Sequence, residues 1–296
     1  MTIEVSPTSL SVRQVVGLQL RDAINHVNDR VVLIVFFILA FYFYYWADLL
    51  HGFANLFSVE SDVTVSRTLG GAEILGLAAV AVILKDLKSD RVLRWWDFVA
   101  IIATAIAGIY SSRAFGAIGV TCLGVLFMAR SDKRIASLGQ LCLGFAWLGF
   151  WGPLALDLIK PWLLPIETAL AYVPLSFLGS FSLHGTIISN GNGFAIQVYD
   201  GCSAFHNTIT TAFIWLSLMK MQRLDVQLKH VGILAIGLVA VILLNTARIG
   251  VMAVSMSEYT YWHYGPGLVI VKMVMLSAVL GLFYFGLRPA KMSQMA

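Results

Sequence analysis

The stretch Val198–Lys220, VYDGCSAFHNTITTAFIWLSLMK, changes character part-way along. A polar approach through Asp200-Gly201 delivers Cys202 to the start of an apolar run, and the run closes on Lys220. Such a run reads as a membrane helix with a cysteine at its N-terminus. Amide groups there favour thiolate over thiol and lower a cysteine pKa from its free value of about 8.5. Cys202 is therefore a candidate nucleophile. Cys122 and Cys142 lie inside apolar runs and read as small hydrophobes. With no CxxC spacing, the three cysteines suggest neither a disulfide framework nor a zinc site.

Working outward, hydrophobic residues make up 59% of the 296 positions and charged residues 12%, a balance that excludes an ordinary water-soluble domain. The formal charge of +4 is spread in short clusters between apolar runs, so it carries topology and no nucleic-acid footprint. No phosphate loop, dinucleotide fingerprint, haem motif or metal-spaced histidine pair occurs, so no cofactor is expected.

Residues 1–30 read as an interfacial amphipathic helix on the cytoplasmic side, with Val12, Val15, Val16, Leu20 and Ala23 at helical spacing. No signal-peptide pattern precedes the first span, near 31–50, so that span is expected to be retained. Further apolar runs cover about 69–84, 95–111, 114–129 and 135–156. Basic clusters at Arg13, Arg21 and Arg30, at Lys85–Arg94 and at Arg130–Arg134 alternate with segments poorer in positive charge. The positive-inside bias then puts the N-terminus in the cytoplasm and the end of the fifth span outside.

Residues 157–201 break the pattern. Pro161, Pro165 and Pro174 interrupt an apolar stretch, and LHGTIISNGNGFAIQVYDG then alternates as two strands about a turn at Asn190–Gly193. The expectation is a proline-broken interfacial or re-entrant helix followed by a small extracytoplasmic hairpin. Spans six, seven and eight are expected near 203–219, 229–256 and 267–287. The whole reading is an all-α polytopic membrane protein, a single integral domain over 1–296 with about eight transmembrane helices and its chemistry in 202–287.

This topology has a chemical consequence. Cys202 falls at the outer face, and Arg248 lies about 27 Å up span seven, close to the outer boundary of a core about 30 Å thick. His263 falls in the outer connection that follows. Cys202 can attack a carbonyl, Arg248 with a backbone amide near Ser203 can hold the oxyanion, and His263 can exchange the proton. A plainer account also fits: Arg248 snorkels to the headgroups and His263 is an ordinary loop histidine. His206, one turn from Cys202, is a competing base or a supporting partner. Asp200 caps span six or orients a histidine, and Ser203 is an alternative nucleophile. Asn245 either fixes the Arg248 guanidinium or makes an interhelical hydrogen bond. Glu73 and Glu258 are weaker candidates for a cavity lining.

Cys202-Ser203, Asn245-Thr246-Ala247-Arg248 and His263 followed by Gly267 resemble the three signatures of the exosortase/archaeosortase family. The resemblance covers about the last hundred residues by motif, and Ala204 departs from it where many members have glycine. It implies a prokaryotic inner-membrane cysteine peptidase or transpeptidase. Its partners would be secreted proteins bearing a C-terminal sorting signal of motif, hydrophobic helix and basic tail. It further implies Cys202 as nucleophile, Arg248 as oxyanion stabiliser and His263 as acid and base. From a different class, a non-catalytic transporter or envelope-polymer export subunit would use Arg248 to bind an anion and leave Cys202 incidental.

Overall fold

The computed structural model describes residues 71–86, 99, 113–130 and 132–287. The interfacial helix over 1–30, the first span, the third span apart from residue 99 and the basic residues after 287 lie outside the described residues. Within them, α1 (Gly71–Asp86), α2 (Arg113–Met128) and α3 (Lys133–Ala146) precede a π-helical turn, Trp147–Trp151. Then come α4 (Gly152–Ser176), β1 (Phe181–His184), β2 (Ile187–Asn190) and β3 (Ala195–Gln197). A 3-10 turn, Asp200–Cys202, leads into α5 (Phe205–Met221), α6 (Leu228–Met252), α7 (Met256–His263) and α8 (Pro266–Gly286).

Three helical runs among the described residues are long and apolar enough to cross a membrane: Lys133–Ser176, Leu228–Met252 and Pro266–Gly286. The chain is a polytopic α-helical membrane protein. The expected count of eight extends over residues outside those described, and α1 and α2 abut such residues. Within the described residues α5 has 17 residues, about 25 Å at 1.5 Å per residue. Apolar side chains from α1, α2, α3, α5, α6 and α8 form the main core, with Phe145 edge-on to Phe213 at 4.8 Å.

The segment 157–201 differs from expectation in two ways. First, the prolines do not break the helix: α3, the π turn and α4 run on as 44 residues, with Pro161, Pro165 and Pro174 inside α4. A proline removes one intrahelical bond, and packing against neighbouring elements sustains such a helix through it. Second, the expected hairpin is a three-stranded antiparallel meander, β1-β2-β3. His184 pairs with Ile187 across Gly185-Thr186, and Gly185 sits at φ +62°, which a two-residue turn with glycine first demands. That turn splits what the alternation suggested was one strand. Ile188, Ile196 and Val198 are buried and pack with α4 and the end of α6, and Asn190 donates to the Val254 carbonyl at 2.8 Å.

Candidate active site

Cys202 does not open α5. It closes the Asp200–Cys202 turn, its N–H donating to the Tyr199 carbonyl at 2.9 Å, and α5 begins at Phe205. Only 4% of it is exposed, and it packs in one buried cluster with Ile249, Met252 and Ala253, flanked by Tyr259 and Trp262. The loop before α5, the end of α6 and the short helix α7 therefore meet around the thiol. Burial pushes the Cys202 thiol above its ordinary value, while a Tyr199 backbone hydrogen bond and the Arg248 charge pull it back. The expected lowering by a helix N-terminus is overturned, because the helix starts three residues later and desolvation of the thiolate dominates.

Three polar side chains fix this turn. Asn245 Nδ2 donates to the Cys202 carbonyl at 2.7 Å, across two helices, so it holds the cysteine backbone and not the guanidinium. Its Oδ1 is buried and has no partner among the described residues. From α4 comes Glu167, 6% exposed, which accepts from the Ser203 hydroxyl at 3.0 Å and from the Ala204 N–H at 3.2 Å. Ser203 Oγ in turn accepts from Phe205 N–H at 3.1 Å. A carboxylate beside free amide groups is the favourable charge for a helix start. Glu167 thus ties α4 to the residue that precedes α5, while Ser203 Oγ takes the first amide of that helix. Asp200 instead accepts from Gly201 N–H at 3.0 Å and lies 3.8 Å from Lys160, because it opens the 3-10 turn, ahead of α5, and is exposed.

The backbone amides near the thiol are already committed. Ser203 N–H donates to the Asp200 carbonyl at 3.0 Å, and those of Cys202 and Ala204 are used as described. Each of these N–H groups thus has an acceptor within the protein, and Arg248 is the charged donor beside them. Arg248, 8% exposed, is anchored by its Nε to the Trp262 carbonyl at 3.1 Å. That bond takes one of the five guanidinium hydrogens. Trp262 is itself held, its indole N–H donating to Glu258 at 2.9 Å. Glu258 is accordingly a strut of α7, while Glu73 stands in the first turn of α1, half-buried.

His263 is the last residue of α7, in ring contact with Tyr259 (centroids 5.0 Å apart) and Tyr264 (4.4 Å). Its Nδ1 is buried without a partner among the described residues. Burial, then the Arg248 charge, holds it below its ordinary value of 6.5. Arg248 bonds Trp262 and His263 contacts Tyr259, and both aromatic residues pack against the buried cluster that holds Cys202, so the three residues border one cluster. His206, in the first turn of α5, is exposed. Gly267 has a steric reason: a Cβ there would sit 2.7 Å from ring atoms of both Trp262 and Tyr261. Ala204 is 1% exposed with φ −68°, a backbone that does not call for glycine.

The family model for transmembrane exosortases matches residues 19–283, nearly the whole chain. The chain belongs to the exosortase family. No curated protein and no solved structure matches it. Membership extends the resemblance from the last hundred residues to the N-terminal spans, and it accords with a general role in protein sorting and cleavage. Glu167 had no motif to announce it. The signal available was a lone acidic residue inside an apolar stretch, the same cost argument that singles out Arg248.

Proposed function

We propose that this exosortase is a cysteine peptidase or transpeptidase that cleaves C-terminal sorting signals of secreted, membrane-tethered proteins at the outer face of a prokaryotic inner membrane. The observation that carries the reading is that Cys202, Arg248 and His263 border one buried cluster, with the Cys202 carbonyl pinned by Asn245. The resting pair is a neutral thiol and a neutral imidazole, given the directions in which burial moves both groups. As Cys202 Sγ bonds to the scissile carbonyl carbon, His263 accepts the thiol proton and Arg248 faces the oxyanion. The tetrahedral species collapses with cleavage of the C–N bond, and His263 returns the proton to the leaving amine. An incoming amine or water then attacks the thioester, and the thiol is restored.

The test uses intact cells carrying Cys122→Ser and Cys142→Ser, a membrane-impermeant thiol reagent and a secreted substrate with a C-terminal signal. Expected are labelling from outside that is lost in Cys202→Ala, loss of substrate processing in the same variant, and normal insertion. Processing that survives Cys202→Ala would transfer the protein to the non-catalytic export class.

A further inference from the structure

β3 is an edge strand of the meander, next to β2 alone among the described strands. In an antiparallel pair, alternate residues turn their N–H and C=O toward the partner strand, and the residues between turn theirs away. Val198 N–H donates to the Thr186 carbonyl and the Phe194 carbonyl accepts from Asn190 N–H, each at 2.8 Å. Phe194, Ile196 and Val198 therefore face β2, and Ala195 and Gln197 direct their backbone groups outward. Those two N–H and two C=O groups meet no partner among the described residues, and both residues are exposed. An unpaired row of this kind is a template for another strand. The opposite edge differs: β1 lies against α4, and the Phe181 carbonyl there accepts from the Tyr172 hydroxyl at 3.2 Å.

Two further observations define the occupant. The first is position. Ile196 and Val198 pack in the buried cluster that holds Cys202, and the chain reaches that thiol four residues after Val198. At the start of β3, Phe194 meets Tyr259 (ring centroids 6.5 Å apart), the residue whose ring contacts His263. β3 thus runs alongside the candidate site from its histidine side to its cysteine side. The second is chemistry. The side chains along the edge, Ala195, Gln197 and Tyr199, carry no charge, and the Tyr199 hydroxyl donates to Gln197 Oε1 at 2.9 Å. A neutral edge whose free groups are main-chain donors and acceptors suits a short extended polypeptide, held by its own backbone.

Given the peptidase reading, on which this rests, we propose that β3 docks the sorting-signal segment of the substrate as a fourth strand and so lays the residues next to the scissile bond along the site. The test is read without turnover, in membranes carrying the full chain with Cys122→Ser, Cys142→Ser, Cys202→Ala and Gln197→Cys. The probe is the secreted substrate with a C-terminal signal, bearing one cysteine at successive positions outside its hydrophobic helix. Paired Cα atoms at such an edge lie about 5.5 Å apart, within disulfide reach. Crosslinking under mild oxidation should peak at one substrate position and fall about tenfold at its two neighbours, whose side chains point to the other face. With Ala195→Cys in place of Gln197→Cys, the peak should move by two substrate residues. Even crosslinking along the signal, a peak that stays put, or no crosslink to a substrate that the wild type processes would overturn the docking strand. A moving peak on a substrate that the wild type leaves uncleaved would keep the docking strand and overturn the peptidase reading instead. Gln197→Pro gives a second measure on the active chain, because it removes an outward N–H that serves no bond among the described residues. The thermal midpoint should hold while KM rises about tenfold and kcat is retained. An unchanged KM would also overturn the docking strand.

Discussion

The two ends of α5 hold polar side chains in opposite ways. Around Cys202, Glu167, Asn245 and Arg248 are each less than 9% exposed, and each bonds a backbone group from another part of the chain. Around Lys220, charged side chains face a cavity, and the Lys133–Asp225 ion pair there joins side chains 86% and 80% exposed. Buried bonds to backbone fix a position, and losing a partner leaves a group that water cannot reach. Exposed pairs hold little geometry. The first end is built to keep one arrangement, and the second is free to respond to what surrounds it.

The strongest way to break this contrast is Arg248→Lys. Charge is kept, but the fork that reaches both the Trp262 carbonyl and a developing oxyanion is lost. Substrate processing should fall by about 10²- to 10³-fold with the chain still inserted, measured by substrate cleavage in membranes. A drop of only a few-fold would mean that another donor serves the oxyanion. Next comes Glu167. Glu167→Ala orphans the Ser203 hydroxyl and the Ala204 N–H, at about 1–3 kcal/mol for each buried group. Stability by thermal unfolding and turnover should both decline, and Glu167→Gln, which keeps an acceptor oxygen, should recover most of the stability. Equal losses in both variants would assign the effect to the charge.

The pH response sharpens the same contrast. Because Cys202 is raised by burial, its alkylation should show no plateau at neutral pH and should climb through and beyond about pH 8.5. Because His263 is lowered, the fold resists its protonation: its destabilising contribution is absent above 6.5 and appears as pH falls below that value. As a base it should stay competent below 6.5, which a pH profile of processing would reveal. The smallest effect belongs to the exposed end. Asp225→Asn, which breaks the Lys133 pair, should change stability by no more than about 1 kcal/mol in thermal unfolding.

Hydropathy and charge alternation made the membrane class legible, and spans near 114–129 and 267–287 match α2 and α8 closely because continuous apolar runs leave few alternatives. The expectation that Cys202, Arg248 and His263 face the same side comes from counting rise per residue along span seven. What resisted reading were arrangements set by distant partners. Glu167 meets Ser203 thirty-six residues on, and Asn245 meets the Cys202 carbonyl forty-three residues back. The prolines of α4 misled because proline is a local signal and the helix is sustained by packing. Gly185 misled in the other direction, as one glycine amid alternating residues hid a turn.

The 44-residue run that ends in α4 has a further consequence for how the molecule sits. A Cβ on Gly152 would touch Ile209, so the run has already climbed to the first turns of α5 by that point. From Gly152 to Glu167 the helix advances about 22 Å, yet Glu167 meets Ala204, only about 8 Å above Ile209 along α5. Part of that advance goes sideways, across the axis of α5. The second half of α4 is a roof beam laid across the bundle. Leu158, Trp162 and Phe177, exposed by 65% or more, form its eaves. A beam in that attitude braces the turn that carries Cys202, because Glu167 on it holds Ser203 and Ala204.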